Sequence, residues 1–340
     1  MTDVRPLTSP YQRRTKMSLD VERGTKSFQY LDVPGAATER NYVNNPLFGP
    51  PRPRTATVPI MYVNGVKDGP TLCIMAGMHA CEYPSIDAAI QTYKHADPHA
   101  LAGRLIIVPV VNLPAFWTRT PYLNPHDMMD ISATYHLEGT SISFLIGRTL
   151  MNQVFSKADY VIDLHGGDIM EDIVPHAGFA KIGDKEIDER SEMLARAYGT
   201  KYVFERLEKG AFEKSGIRKP RTLAEAGREG RLEPEQTAVH LNGISNIMKA
   251  LKMIEGKPEI PPDQVVMRGR YEIFCRTAGL FYPLVQMGAS VKKGDLLGEI
   301  RDLEGKTLEQ IIAPKDSVVL LMMTNPVKHP DDLIFKMWMY

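Results

Sequence analysis

The sequence TLCIMA at residues 71–76 is a continuous, mostly apolar run, which is typical of a strand covered on both faces. The residues GMHACE at 77–82 follow it, and Pro84 then suits the first turn of a helix predicted over 84–95. Further along, the apolar runs at 105–111 and 160–164 have the same character. Buried strands separated by helices predict a parallel α/β sheet.

The alternation of strands and helices continues outward from this stretch. Helices are predicted over 141–155, 184–198 and 233–254, and strands over 201–205 and 221–226. The predicted fold class is therefore α/β, a mixed but mostly parallel sheet flanked by helices.

Two changes in composition predict the domain organisation. Residues 1–54, rich in Pro, Arg, Asn and Gly, are predicted to be an N-terminal extension, and 55–257 the α/β domain. After the proline-rich segment 258–262 the chain shows short strand-like runs and frequent turns, with no helical pattern. Residues 258–340 are therefore predicted to form a small C-terminal all-β domain.

Charge and cysteine content exclude several classes of protein. The 340 residues carry no net charge, which argues against a nucleic-acid binder. Three cysteines, with no CxxC pair, do not make a disulfide framework, and this predicts a reducing compartment. The N-terminal residues lack the apolar core of a signal peptide, and no apolar run approaches the ~18 residues that cross a bilayer. We therefore expect a cytoplasmic protein with no membrane association.

Two histidines and a glutamate lie just after predicted strands. His79 and Glu82 are spaced i, i+3 where a helix is predicted to start, which places both on one face. His165 ends a second strand, and parallel sheets carry their ligand sites at such carboxyl ends. Two imidazoles and a carboxylate form the ligand set of a catalytic zinc with one open position, although other divalent ions also suit it. Each histidine taken alone is equally compatible with a structural role.

Asp163 lies two residues before His165. Residues two apart in a strand point to the same face, so the carboxylate is placed to orient a ligating imidazole. We predict that the carboxylate of Asp163 orients the ring of the ligand His165.

With these motifs the chain resembles the succinylglutamate desuccinylase/aspartoacylase family of zinc-carboxypeptidase-like hydrolases. The family pattern Gly-x-His-Gly-x-Glu is met at 77–82, except that Ala80 stands where glycine is usual. Asp-x-His-x-Gly is met at 163–167, and Glu-x-Gly at 225–227. Together with C-terminal elements at 283–285, 291–300 and 313–314, the resemblance covers roughly residues 55–335 in order.

The resemblance implies one zinc ion per chain, held by His79, Glu82 and His165. It also implies that Glu225 is the general base, taking a proton from water and returning it to the leaving amine. Arg119 would stabilise the developing oxyanion. The alternatives are a surface glutamate in the charged stretch 221–235 and an exposed loop arginine.

The chain departs from the family pattern in the long irregular stretch 113–140. The family usually has Asp-Leu-Asn-Arg there, and its Asn-Arg pair grips the substrate carboxylate, whereas this chain has DISA at 130–133. Serine and alanine cannot replace a bidentate arginine clamp. Either the substrate lacks that carboxylate, or another residue binds it. The residues predicted to line the altered pocket are Asp130, Ser132, Tyr135 and His136.

Four basic residues near Glu225 could supply the missing charge, although a solvated basic surface is the favoured explanation for most of them. They are Arg218, Lys219, Arg221 and Arg228.

The leading prediction is a zinc-dependent amidohydrolase that cleaves a small N-acyl amine or N-acyl amino-acid derivative. A metallo-carboxypeptidase or an esterase on the same scaffold is the alternative, and a non-catalytic small-molecule-binding homologue is a third. The expected partner is a small-molecule amide, and the sequence is compatible with a homo-oligomer.

Overall fold

The computed structural model describes residues 21–34, 56–206 and 210–340. The strands are, in chain order, β1 (Thr25–Asp32), β2 (Thr57–Asn64), β3 (Lys67–Met75), β4 (Ala102–Val108), β5 (Tyr160–His165), β6 (Glu171–Ala180), β7 (Tyr202–Arg206), β8 (Arg221–Arg228), β9 (Val265–Arg268), β10 (Arg270–Phe274), β11 (Gly279–Pro283), β12 (Ser290–Val291), β13 (Leu296–Arg301), β14 (Thr307–Ile312), β15 (Ser317–Met323), β16 (Val327–Lys328) and β17 (Leu333–Trp338). The helices are α1 (Tyr83–His95), α2 (Leu113–Thr118), α3 (Ile142–Gln153), α4 (Lys185–Ala197), α5 (Ala211–Lys214) and α6 (Pro234–Ala250), with short 3-10 helices at Ile131–His136 and Phe155–Lys157.

Thirteen of the described strands form one large mixed sheet. Its main path runs β1-β2-β4-β3-β5-β8-β6-β15-β17-β10. The pairs β4–β3, β3–β5 and β5–β8 are parallel, so the carboxyl ends of β3, β5 and β8 lie side by side. The predicted α/β class, with a mixed sheet and flanking helices, is confirmed.

The apolar runs of the sequence are the strands that have a core on each face. In β3, Leu72 and Ile74 pack into a core shared with α1, α4 and α6, while Cys73 and Met75 pack into a second core with α3. Burial on both faces removes the need for polar residues, which explains the continuous apolar pattern.

The large sheet branches at strand β6, which pairs with different strands at its two ends. Its first residues pair antiparallel with β15, whereas residues from His176 to Ala180 pair parallel with β7, which in turn carries β9. We call this division the sheet fork. Strand β6 was not predicted from the sequence, because Pro175 and the polar residues of the strand interrupt any simple alternation.

The C-terminal residues are all β, as predicted, but they are shared between two sheets. Strands β14-β13-β11-β16 form a separate antiparallel sheet, while β9, β10, β12, β15 and β17 join the large one. Sheet hydrogen bonding therefore continues across the predicted boundary at 258, and a division into independent domains stays a prediction.

Part of the predicted N-terminal extension belongs to the large sheet. Strand β1 pairs along its whole length with β2 at the sheet edge. Residues 1–20 and 35–54 of that extension lie outside the described residues. Within the described chain, no helix is both long and apolar enough to span a membrane.

Candidate metal and catalytic site

His79 and Glu82 lie in a tight turn between β3 and α1. The Glu82 N–H donates to the His79 carbonyl at 3.3 Å, and helix α1 begins only at Tyr83. Both residues thus lie at the start of the helix, with Glu82 as its N-cap residue and Pro84 in its first turn. Gly77 begins the turn with a φ of +62°, and a Cβ there would come within 2.9 Å of the Val110 Cα.

The structure brings His79, Glu82 and His165 together. One potential ligand atom from each lies within 4.8 Å of the others. Glu82 is buried between the two rings, with Oε1 2.7 Å from His79 Nδ1 and Oε2 3.1 Å from His165 Nδ1. Oε2 is buried and makes no hydrogen bond within the described chain. The donor types and their spacing fit a divalent metal ion, which these three residues could hold.

The electrostatics of the three residues favour positive charge between them. Burial opposes charge on His79, but the carboxylates of Glu82 and Asp130 outweigh it and raise the pKa of His79 to about 10. The pKa of His165 is also raised, against its burial, by Asp163 and Glu82. For Glu82 the two histidines outweigh burial and lower the pKa. The field that stabilises protons on the rings also stabilises a bound cation.

Each histidine also faces a carboxylate on its far side. His165 Nε2 lies 3.2 Å from Asp163 Oδ1, and His79 Nε2 lies 3.9 Å from Asp130 Oδ1. Metal-ligating histidines usually donate their second N–H to such a group, which sets the tautomer and the ring orientation. The structure thus places Asp163 behind His165, and Asp130 in the corresponding position behind His79.

Asp163 is held in turn by a buried ion-pair chain. Arg221 donates to Asp163, and its Nη1 also donates to Glu213 Oε1 at 2.8 Å. Against burial, His165 and Arg221 keep the pKa of Asp163 well below its usual range. Arg221 is therefore not one of the solvated surface cations. Its position on β8, four residues before Glu225 and on the same face, was the available signal.

Glu225 lies on β8 beside the three potential ligands. Its Cα neighbours across the sheet are His165 on β5 and His176 on β6. Burial raises the pKa of Glu225 to about 8, against the lowering effect of His165 and with support from Glu82. Its Oε2 is buried without a hydrogen bond in the described chain. Glu225 is thus half-buried rather than fully exposed, and a carboxyl with a raised pKa is available for proton transfer.

The other predicted site residues have different surroundings. Ser132 donates to Asp130 through both its backbone N–H and its hydroxyl, each at 2.8 Å. Tyr135 is buried in the apolar core against Phe155, with its hydroxyl 3.7 Å from Met75 Sδ.

His136 and Arg119 are both exposed. Arg119 follows α2 in the left-handed conformation, with a φ of +58°. No hydrogen bond or ion pair within the described chain joins either residue to the three ligands. Their roles, and the substrate roles of Ser132 and Tyr135, stay predictions.

Tyr122 is a site residue that the sequence analysis missed. Its ring packs edge-on against His79 with centroids 5.0 Å apart, and its backbone N–H donates to Asp168 at 3.3 Å. Asp168 is fully buried, and its own N–H donates to Glu171. An aromatic residue in the long loop and acids after Gly166-Gly167 were the only sequence signals. These contacts tie the loop 113–140 to the site.

A cavity of about 200 Å³ lies on the other side of Glu225, at the sheet fork. It is lined by His176, by apolar side chains and by the cations Arg206, Arg270 and Lys336. We call it the fork cavity. No motif in the sequence predicted this cavity.

Comparison with known proteins gives a consistent result. The model of the succinylglutamate desuccinylase/aspartoacylase catalytic domain matches residues 68–251. The chain is 26% identical over 246 residues to N-alpha-acetyl-L-2,4-diaminobutyric acid deacetylase of Halomonas elongata, covering 69% of this chain and 72% of that protein. The matched model spans the metal-ligand candidates, Asp163 and Glu225.

Two solved structures share the fold. The product-bound ectoine utilization protein EutE (DoeB) of Ruegeria pomeroyi has a TM-score of 0.81 at 21% identity, over 94% of this chain and 97% of that one. A succinylglutamate desuccinylase/aspartoacylase of Rhodobacter sphaeroides has a TM-score of 0.80 at 22% identity, over 96% of this chain and 99% of that one. At these identities the likeness establishes the fold alone.

Proposed function

The chain belongs to the succinylglutamate desuccinylase/aspartoacylase family, and from this premise we propose that it is a zinc-dependent deacylase. Its substrate would be a small N-acyl amine or N-acyl amino acid, and its reaction the hydrolysis of the amide bond. The family resemblance predicted from the motifs is confirmed. The observation that carries the proposal is the cluster His79, Glu82 and His165 with Glu225 as strand neighbour.

The catalytic roles follow from the surroundings of each group. A bound zinc ion would supply positive charge and lower the pKa of a bound water toward neutrality. Glu225 takes the proton of the attacking water and delivers it to the amide nitrogen. A C–O bond forms, the C–N bond breaks, and the products are a carboxylate and an amine. A carboxyl with a pKa of about 8 suits a group that both accepts and returns a proton near neutral pH.

The surrounding carboxylates position the ligands. Asp163, fixed by Arg221, holds the His165 ring, and Asp130 faces the His79 ring. The Nε2 atom of each ring faces one of these carboxylates, and the Nδ1 atom of each ring faces Glu82. Both rings are thus oriented toward the same carboxylate before any ion binds.

The test of this proposal is metal analysis combined with single substitutions. We expect the purified protein to bind one zinc per chain, and His79→Ala and His165→Ala to lose it. Hydrolysis by these variants should fall roughly a thousandfold or more, because several kcal/mol of transition-state stabilisation are lost. His95→Ala, at an exposed position on α1, is the matched control. Protein without stoichiometric metal, or full hydrolysis by either variant, would contradict the assignment.

A substrate panel separates deacylation from its alternatives. It contains N-acyl amino acids, neutral amides, esters and dipeptides, and it includes N-alpha-acetyl-L-2,4-diaminobutyrate because of the deacetylase relative. We expect the N-acyl compounds to be hydrolysed fastest. Preference for esters or dipeptides would favour the esterase or the carboxypeptidase. A cytoplasmic location, a homo-oligomer and the lack of a nucleic-acid partner stay predictions.

A further inference from the structure

His240 is a fully buried histidine on α6 that takes no part in the proposed mechanism. Its Nε2 lies 3.0 Å from the backbone oxygen of Ala226, which directly follows Glu225 on β8. The backbone of His165, at the end of β5, also interacts with the same ring. One side chain of α6 thus contacts the backbone beside both a metal-ligand candidate and the proposed base.

The carbonyl of Ala226 lies in a crowded place between the ends of β5 and β8. A Cβ added to Gly166 would come within 2.4 Å of its oxygen, so a glycine lets the chain after β5 pass this close. Just beyond the last Cα partners of the two strands, the Gly167 N–H donates to the Gly227 oxygen at 3.1 Å. The hydrogen bond from His240 therefore lies where the regular strand pairing ends.

The hydrogen bonds of His240 define its tautomer. A carbonyl oxygen only accepts, so the bond to Ala226 requires the proton on Nε2. Burial lowers the pKa of His240 to about 4, so the ring is neutral near neutral pH and Nδ1 carries no proton. Nδ1 therefore accepts from the Tyr198 hydroxyl, which lies 2.7 Å away. The ring is held at both nitrogens, and its N–H points at the strand end.

Helix α6 is shaped to admit Tyr198. The Tyr198 ring is buried at the end of α4 and lies against Gly243, three residues after His240. A Cβ at Gly243 would come within 2.3 Å of this ring. Glycine in the middle of a helix is destabilising relative to alanine, and the space that Tyr198 needs accounts for it here.

We propose that His240 is a positioning residue, which holds the ends of β5 and β8 together so that Glu225 keeps a fixed place relative to His165. This inference rests on the proposed function, because it concerns the place of the proposed base beside the metal-ligand candidates. His240 itself exchanges no proton with the substrate. A displacement of about 1 Å at a reacting group can lower a rate on the order of a hundredfold, so a hydrogen bond to the residue after Glu225 matters for the reaction.

The first experiment measures steady-state kinetics of His240→Leu on the N-acyl compound that the wild-type protein hydrolyses fastest. The substitution keeps an apolar side chain in the core but removes the donor. We expect kcat to fall about tenfold to a hundredfold, because Glu225 is displaced. KM and metal content should stay close to their wild-type values, because the contacts with substrate and metal remain.

Two further substitutions separate the hydrogen bond from the shape of the side chain. In His240→Gln the amide nitrogen is as many bonds from Cβ as Nε2 is, whereas in His240→Asn it takes the place of Nδ1. We expect His240→Gln to recover most of the lost kcat, and His240→Asn to resemble His240→Leu. Tyr198→Phe removes the hydroxyl that orients the ring and should lower kcat about twofold to tenfold. Equal kcat values for His240→Gln and His240→Asn overturn the inference.

Ile244→Val is the matched control for lost stability. Ile244 is buried four residues after His240 on α6, and the substitution removes a methyl group without removing a hydrogen bond. It destabilises the protein through packing alone, so kcat should equal that of the wild-type protein. If kcat falls in Ile244→Val as it does in His240→Leu, the positioning role is contradicted.

A second experiment tests the strand ends without using the reaction. Hydrogen exchange is followed at two amides of the chain that contains β5: Gly167, beside the site, and Val161, at the opposite end of the pairing with β8. In His240→Leu we expect exchange at Gly167 to rise about tenfold or more relative to exchange at Val161. In Ile244→Val the ratio of the two rates should stay at its wild-type value.

Failure of the inference can be distinguished from failure of the proposed function. If the wild-type protein hydrolyses N-acyl compounds and His240→Leu keeps the wild-type kcat, the inference is wrong and the deacylase stands. If the wild-type protein hydrolyses nothing, the proposed function fails, and hydrogen exchange still decides the role of His240. A selective rise at Gly167 then supports the inference. An unchanged exchange ratio overturns it in either case.

Discussion

The metal-ligand cluster and the fork cavity lie on either side of Glu225, and they differ in how their charged side chains are paired. In the metal-ligand cluster each histidine faces carboxylates, and the chain from His165 through Asp163 to Arg221 pairs its charges internally. In the fork cavity, Arg206 and Lys336 have no partner among the described residues. A closed network holds its groups in one geometry, which suits a metal site. Unpaired cations beside a cavity are available to an incoming anion.

The two regions also come from different parts of the fold. The cluster lies at the carboxyl ends of adjacent parallel strands, β3, β5 and β8. The cavity lies where strands from the C-terminal part of the chain join β6. The metal-ligand candidates and the fork cavity are thus built from separate elements, with Glu225 between them.

The largest effect is expected at Glu225, the residue shared by both regions. Glu225→Gln removes the proton acceptor but keeps the size of the side chain. We expect kcat to fall about 10²- to 10⁴-fold, the usual contribution of a general base, while metal content stays at one per chain. Steady-state kinetics and metal analysis measure both, and Glu235→Gln, at an exposed position on α6, is the control. A variant that keeps wild-type kcat would remove Glu225 from the mechanism.

The next effect concerns the paired charges of the cluster. Arg221→Met leaves Asp163 and Glu213 buried without their cation. The free energy of unfolding should fall by about 3–5 kcal/mol, the usual result of breaking a buried ion pair. Denaturant unfolding measures it. Arg218→Met removes an exposed arginine paired with Asp184 and should cost at most about 1 kcal/mol. Equal losses in both variants would contradict the contrast between buried and exposed pairs.

A pH effect tests the positive character of the fork cavity. His176 has a folded-state pKa of about 4, below its ordinary value of 6.5, because of burial with Arg270 and Lys336 nearby. Between about pH 6.5 and 4 the unfolded chain therefore binds a proton that the folded chain does not, so stability falls as the pH falls. The loss from this residue is at most about 3 kcal/mol, and it is absent above pH 6.5.

The measurement compares the pH dependence of unfolding in two proteins. His176→Gln should show a shallower loss of unfolding free energy than the wild-type protein between pH 6.5 and 4. The comparison isolates His176 from His240, whose pKa is also lowered to about 4 by burial. Parallel curves would mean that His176 is not held neutral by its surroundings.

The smallest effect is expected at Asp130. Asp130→Asn weakens the support of His79 and should raise the dissociation constant of the metal about tenfold to a hundredfold. Asp87→Asn, at a surface position on α1 where the carboxylate binds Gln91, is the control. If instead KM rises and metal affinity is unchanged, Asp130 acts on the substrate, as the altered loop motif predicted.

Much of the central fold could be predicted, because the local sequence patterns there indicate the same strands and helices that the structure contains. The apolar runs at 71–76 and 160–164 are strands of the parallel centre, and α1, α3, α4 and α6 lie within a few residues of their predicted bounds. Strands β1 and β6 could not be predicted. Strand β1 is an edge strand with mixed polarity. Strand β6 contains Pro175, and it pairs with three different strands, β15, β7 and β8.

The candidate site, like the fold, contains residues that could be predicted from the sequence and residues that could not. His79 and Glu82 follow β3, Asp163 and His165 lie in the last part of β5, and Glu225 lies on β8. Positions on or just after such strands are visible along the chain. Arg221 was one of four basic residues for most of which a surface position was favoured, since nothing in the sequence shows that its charge is buried between two acids. The ring of Tyr135 lies in the core, against Phe155 and against Phe212 of α5, and its predicted place in the substrate pocket stays a prediction.

By itself, the sequence determined the candidate metal ligands of this protein: their types, their order and their positions at the ends of apolar strands. Such features depend on residues close together in the chain, where periodicity and spacing are informative. Only the tertiary structure decided what surrounds that chemistry. Arg206, Arg270 and Lys336 are far apart in sequence, and they converge because β6 pairs with β7 at one end and with β15 at the other. Long-range strand pairing leaves no local pattern, so the cavity becomes visible only when the sheet is complete.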